Sequence, residues 1–414
     1  MTVYPLKALR ALALHTQRLD APSGETPAPT PDAIYAIVEQ LGCVQIDTLS
    51  VVARSQYLLM WSRLGDYDPA DFDRLIFVDG ERRLFEHWRK AASIIPFHKY
   101  RYQMPQMQSL EKTSSSWWKK REEKAGGAEG IKMVYERVKA EGPLRSADFK
   151  YEGEKRDSWF DWKPTKHALE QLFSMGELMI AKRVNFQRYY DIKERVLPPD
   201  VDTHAATVDE ARRFHIEDGV RSLGVCRPIQ SVEYAYFNRT VSRPHIESLI
   251  NEGAFVPIQG ELSDGSVADL VVHRLNLPLL KRAADGDIIP RRTTFLPFFD
   301  SLFWAKGRDQ EFWSYTNTLE AYKKKEDRRW GYFCLTILHH DRMVGRFDPK
   351  LDRKTGRLII KRLHLEQGIE LEESMIAEIA GAMGDFMRFH QATEFVILES
   401  NPPEFGERLV KAMG

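Results

Sequence analysis

"IKMVYERVKAEGPLRSADF", Ile131 to Phe149, followed by "WFDWKPTKHALEQLFSMGELMIAKRVNFQRYYDI", Trp159 to Ile192, decides the fold. The first stretch reads as a helix, a Gly142-Pro143 break and a short helix opened by Arg145-Ser146-Ala147-Asp148. The second continues with a long helix, a turn at Met175-Gly176-Glu177, and two β-like runs around Leu178 to Arg183 and Phe186 to Tyr190. Helix, helix, helix, hairpin is the order of a winged helix. "KHALEQLF" within the long helix is expected to face the core. On that same helix Trp159, Trp162 and Lys166 occupy the place where a simple regulator reads the major groove, although their apolar spacing suits core packing equally well.

Working outward, "ATVDEARRFHIEDGV" and "RPHIESLINEGAFVPIQGE", Ala206 to Val220 and Arg243 to Glu261, repeat this order more faintly, in period rather than identity. From Phe295 the texture changes to a loop-rich aromatic segment. An antiparallel meander with turns at His340-Asp341 and Lys354-Thr355-Gly356 follows, then a helix over about Glu372 to His390 and the strand "EFVILES". The expected architecture is α+β, tandem winged-helix units followed by a C-terminal β-rich domain with a final helix. Its segments are residues 1–130, 131–200, 201–290 and 291–414.

At the N-terminal end, four prolines in "APSGETPAPTP" end a first helix. Thr30 then caps a second one, with Pro31 at its first position and Gly42 at its close. "LGCVQIDTLSVVARSQ", Leu41 to Gln56, begins where that helix stops. Gln45 and Asp47 interrupt an apolar run, two residues apart in a short extended link before helical spacing resumes after Ser50, so an amide and a carboxylate point the same way. Such a pair can hold one water, the carboxylate taking its proton or steadying nearby positive charge and the amide orienting it. Hydrolysis of an N-glycosidic bond builds oxocarbenium-like charge that a fixed carboxylate stabilises. A purine alkylated at N7 is already cationic and leaves without a second acid. Helix capping by Asp47, with Gln45 satisfying backbone groups, is the structural alternative.

Composition narrows the partners. The chain of 414 residues is 43% hydrophobic and 29% charged, within the range of folded multidomain proteins. Charged residues interrupt every apolar run before membrane-spanning length. The N-terminus lacks the pattern of a secretory signal, so a cytoplasmic location is expected. Cys43, Cys226 and Cys334 are far apart, which predicts packed, reduced thiols. Net charge is zero, yet Glu81 to Lys124 carries eleven Lys and Arg against five acidic residues, and Glu366 to Gly414 carries ten acidic against three basic. Several winged units without a phosphate-cradling glycine loop or nucleophile elbow point to nucleic acid. Arg54 and Gln56, which follow the Gln-Asp pair, are expected to reach DNA, as are His273 and the Arg291-Arg292 pair. Lys323 to Arg329 is a second basic run suited to phosphate. His339-His340 sits at a turn without carboxylate or Cys neighbours, so no metal role is expected.

In these residues the chain resembles the bacterial tandem winged-helix DNA glycosylases of the AlkZ/YcaQ type. The similarity runs through "LGCVQIDTLSVVARSQYLLMWSRLGDYDP", "RRLFEHWRKAASIIP", "EGPLRSADF", the Trp159 to Pro198 region, Ser222 to Val225 and "GYFCLTILHHDRMVGRFDPKLDRKTGRLIIKRLHLE", and so spans nearly the whole chain. It implies that Gln45 and Asp47 are the catalytic pair, in the Gln-x-Asp form of the branch that acts on simpler crosslinks and monoadducts. Relatives tend to read Ser-Pro-Phe-Asp-Pro-Leu-x-Trp-Asp-Arg where this chain has "LPFFDSLFWAK", keeping Phe299, Asp300 and Trp304 but carrying Ser301 and Ala305. Asp300 is accordingly expected on the DNA-facing loop. The expected protein is a monofunctional glycosylase without lyase activity, a monomer that excises N7-alkylated purines and unhooks crosslinks in double-stranded DNA through an open cleft. It needs no cofactor and no metal and does not act at a membrane. A noncatalytic winged-helix DNA-binding protein is the alternative, and an interaction scaffold a third. Burial and capping of Gln45 and Asp47 would favour the noncatalytic reading.

Overall fold

In the computed structural model, residues 2–22, 29–111, 116–149 and 164–414 are described. They form two compact units, one of residues 1–69 with 215–414 and one of residues 70–214. The four consecutive segments expected from the sequence do not coincide with these units. The N-terminal 69 residues find their packing partners after residue 214, because the strand Val3–Tyr4 pairs in parallel with Phe255–Glu261.

Within residues 70–214 the expected order is present. The helix Gly127–Glu141 leads to a single 3-10 turn, Ser146–Asp148, in place of the short helix. The helix Pro164–Ser174 and the hairpin Leu178–Val184/Gln187–Ile192 complete it. Asn185 and Phe186, both at positive φ, close that hairpin, and Leu144 bridges Tyr190 as a one-residue third strand. "KHALEQLF" faces inward as expected, with Ala168, Leu169, Leu172 and Phe173 packed on Val134, Val138 and Ile180. Trp159 and Trp162 lie outside the described residues, and Lys166 is half-buried. A buried charge network joins the hairpins: Glu86 accepts from Arg183 and Arg188 at 2.6 and 2.7 Å, and Glu170 accepts from Arg188 and Tyr190. Opposing guanidinium charges outweigh the cost of burying the Glu86 carboxyl and hold its pKa below the ordinary value.

The fainter repeat begins with the helix Val208–Leu223, whose residues from His215 on belong to the other unit, and continues there with the short strand Val225–Cys226, two helices, and the hairpin Phe255–Glu261/Val267–His273. The short strand pairs with the second hairpin strand, giving a winged-helix sheet extended on its far edge by Val3–Tyr4. The same order of elements runs once more from Pro31 to Pro96, across the boundary between the two units.

The aromatic segment leads into a six-stranded sheet. Its strands Thr293–Leu296, Leu335–His339, Arg342–Asp352 and Arg357–Leu365 form the expected antiparallel meander. Glu394–Ile397 and Ser400–Asn401 instead pair in parallel with Arg357–Leu365, because the helix Glu373–Phe389 carries the chain back across the sheet. Pro349, which lacks an N–H, is accommodated at a register shift in its long strand.

The helix Ser55–Leu64 anchors this unit. Its Trp61 ring packs on Phe295 and Phe386, at 5.7 and 4.9 Å between centroids. Arg63 grips Asp300 bidentately at 2.6 and 2.9 Å, with both side chains wholly buried. Asp300 also caps the next turn through the Leu302 N–H, while Ser301 donates to Gln17. The expectation that Asp300 lies on a DNA-facing loop is therefore corrected: the carboxylate is fully consumed by a buried cation.

Removing one partner of a buried pair strands the other charge. Asp300→Ala should lower stability by about 3–5 kcal/mol in denaturant melts, whereas Arg63→Met combined with Asp300→Leu should recover most of that loss.

Candidate functional site

The Gln-x-Asp segment begins where a helix is made to stop. Thr30 accepts from Ala33 N–H to start the helix Pro31–Leu41, and Gly42, at φ +79°, turns the chain out of it. Val44–Gln45 is extended, and residues 46 to 54 run irregularly into the helix Ser55–Leu64. Both ends of this loop are tied to Asp47. Its backbone N–H donates to Gln56 Oε1 at 3.1 Å, Leu49 N–H donates to its Oδ1 at 3.0 Å, and Ser55 Oγ donates to its Oδ2 at 3.1 Å. The loop is thereby fixed by residues from its own helix start rather than by a side-chain cap at Arg54.

Asp47 is 5% exposed, and burial pushes its carboxyl above the ordinary aspartate range. The bonds from Leu49 and Ser55 and the nearby Arg54 charge offset part of that shift. Gln45 is half-buried, and its side-chain amide has no hydrogen-bond partner among the described residues. Asp47 does not cap the following helix, whose N-cap is Arg54; it makes an Asx turn onto Leu49 inside the loop, and Gln45 satisfies no backbone group there. A carboxylate held by two donors and made more basic by burial can still accept a proton, and a neighbouring uncommitted amide can orient the group that supplies it.

Several residues expected at DNA serve the fold instead. Gln56 is buried and spends its side-chain oxygen on the Asp47 backbone. His273 is 2% exposed, hydrogen-bonded to Glu217 and accepting from Leu275 N–H. Arg292 is 1% exposed and donates to Ser62 O, and burial together with the Arg63 charge brings its pKa down to about 10. Buried side chains with these internal partners cannot meet a phosphate, which corrects the reading for Gln56, His273 and Arg292. Arg291 is exposed, and Arg54 is half-buried beside Asp47. In the second basic run Lys323 to Asp327 are exposed, while Arg328 is pinned to the Glu320 and Lys323 carbonyls. Ser55 is the contact residue that sequence reasoning passed over. Its position one residue before Gln56, at a helix start eight residues after Asp47, is the signal that was available.

Two further expectations meet the structure here. Cys43 and Cys226 are buried thiols that form no disulfide, and burial pushes the Cys226 thiol up to about 12. The His339-His340 pair does have a carboxylate beside it, Glu378, brought from 38 residues away. Among the described residues no helix is long and apolar enough to cross a membrane.

This α+β arrangement of winged-helix order and open sheets has a counterpart among solved structures. It matches the Streptomyces sahachiroi DNA glycosylase AlkZ with a TM-score of 0.62 over 96% of this chain and 100% of that one. At 14% identity this likeness is one of fold. The sequence matches the family described as DNA glycosylase AlkZ-like over residues 38–389, and the chain belongs to that family.

A carboxyl whose pKa is raised by folding binds its proton more tightly folded than unfolded. Ionised Asp47 therefore subtracts stability above its native pKa, and the deficit vanishes as the pH falls towards the ordinary value of 3.8. Asp47→Asn should melt above the parent at neutral pH, and the gap should close on acidification. An unchanged gap across that range would show that Asp47 is not destabilised by ionisation.

Proposed function

We propose that this protein is a monofunctional DNA glycosylase that hydrolyses the N-glycosidic bond of N7-alkylated purines in double-stranded DNA, including purines joined in interstrand crosslinks. Membership of the AlkZ-like family supports a glycosylase. The observation that carries the finer reading is the pairing of a buried, basicity-raised Asp47 with an uncommitted Gln45 amide two residues before it. In this mechanism Gln45 orients a water, Asp47 takes its proton and stabilises positive charge on the sugar, and the alkylated base departs without an added acid because it already carries a positive charge. Ser55 and the Leu49 N–H aim the carboxylate, and Gln56 fixes its backbone. Arg54 and Arg291 remain the expected phosphate contacts.

One observation favours the noncatalytic DNA-binding alternative. Asp47 is buried and bonded within its own loop, which is what a purely structural aspartate does. The two readings separate in a single assay. Duplex DNA carrying N7-methylguanine, or a nitrogen-mustard crosslink, is incubated with the protein, and released base and abasic sites are measured. The parent should release base, and Asp47→Asn should lose about 10²–10⁴-fold in rate while retaining DNA binding. Parent protein inert on every N7 adduct leaves only the binding role.

Because the proton acceptor must be ionised, the rate of base release should fall on acidification, with an apparent pKa above the ordinary aspartate value. Ser55→Ala removes a hydrogen bond that favours the ionised form and should move that acidic limb to higher pH. A limb unaffected by either the Ser55 or the Asp47 substitution would assign the titration to another group.

A further inference from the structure

We propose that His339, His340 and Glu378 form a binding site for a zinc-type divalent cation. The two histidines end the strand Leu335–His339 and begin the turn into Arg342–Asp352. Their rings stack, with centroids 4.0 Å apart, so that one nitrogen of each faces the same side. Glu378, on the helix Glu373–Phe389, meets them there. Its Oε2 lies 2.9 Å from His340 Nε2 and 3.5 Å from His339 Nδ1, and all three atoms lie within 4.8 Å of one another. Ligands at zinc distances of roughly 2.0–2.1 Å in a tetrahedral shell stand about 3.3 Å apart. The two shorter separations bracket that value, and small side-chain rotations bring the third into line.

The donor set fits the same class of ion. Two imidazoles and one carboxylate suit zinc, nickel or cobalt better than magnesium or calcium, which take oxygen ligands. Both rings must ligate as neutral imidazoles, through Nδ1 of His339 and Nε2 of His340. Thr293 supplies the outer support: its hydroxyl donates to Glu378 Oε2 at 2.8 Å and lies 2.9 Å from His339 Nδ1. In the bound state that hydroxyl keeps its bond to the carboxylate while His339 Nδ1 turns to the ion.

Access and room are also present. His340 and Glu378 line an open cavity of about 430 Å³ whose floor includes the small residues Gly381 and Ala382, leaving space for coordinating water. Asp385, two helical turns beyond Glu378, lines the same cavity and adds negative charge. Arg291 and Arg342 act against cation binding, which places the site among moderate rather than tight binders. His340 holds a left-handed conformation at φ +57°, as the tight turn between the two strands requires. The bound ion would tie the strand turn to the helix that covers the sheet.

The test uses the full chain with any affinity tag removed. Cobalt(II) is titrated while its visible absorption is followed, zinc is titrated by calorimetry, and thermal melts are recorded with zinc and again after adding EDTA. One saturable ion per chain, d–d absorption bands and a rise in melting temperature reversed by EDTA are expected. Glu378→Gln and His340→Gly should abolish that site, the second without strain because glycine accepts the left-handed backbone. Thr293→Val should weaken binding by about 10–100-fold. Circular dichroism confirms that each variant is folded. Absence of saturable cobalt absorption in the parent would overturn the proposal, as would binding that persists unchanged in folded Glu378→Gln and His340→Gly. Either result would leave the three side chains as a hydrogen-bonded network.

Discussion

The bidentate contact between Arg63 and Asp300 is the constraint on which the larger unit turns. A guanidinium and a carboxylate removed from water are tolerated only when every donor and lone pair is met. Here Gln17, Leu59 and Ser62 take the remaining guanidinium protons, and Leu302 N–H occupies the carboxylate. Three stretches of chain, around residues 17, 63 and 300, are thereby fixed to one another. The helix that carries Arg63 begins at Ser55, which holds the Asp47 carboxylate, so the orientation of the Gln-x-Asp loop depends on a charge pair eight residues further along that helix.

The division of labour among polar residues follows from this arrangement. Buried groups that might be expected to meet a ligand, including Gln56, His273 and Asp300, are engaged internally, and Arg292 is buried with one bond, to the Ser62 carbonyl. The side chains proposed to act on something outside are Gln45 beside Asp47, exposed Arg291, half-buried Arg54 and the histidine turn facing its own cavity. Burial makes ionised Asp47 costly to the fold, while the donors aimed at its oxygens favour the ionised form.

Local features were legible in the sequence because their causes are local. Thr30 with Pro31, Gly42 and the turns at His340-Asp341 and Lys354-Thr355-Gly356 act within a few residues, and each stands where expected. Partnerships across long separations were not. Nothing near Asp300 announces Arg63, nothing near His340 announces Glu378, and the two-residue strand at Val3 carries too little pattern to reveal that it pairs with Gln259 and Gly260. Arg292 and His273 were assigned to the surface because charge and polarity predict exposure on average. The average fails where a backbone carbonyl or a carboxylate waits inside to receive them.

The discontinuous unit also bears on how the chain is made. At about 5–20 residues per second, the ribosome takes roughly ten to fifty seconds after Arg63 to deliver the 237th residue beyond it, Asp300. Residues 70–214 emerge complete in that interval, with their own core and charge network. The first 69 residues meanwhile carry a buried-type arginine and an apolar helix with no interior to enter. Until Asp300 is made, Arg63 lacks the carboxylate that offsets its burial, so this guanidinium cannot take its final place before then.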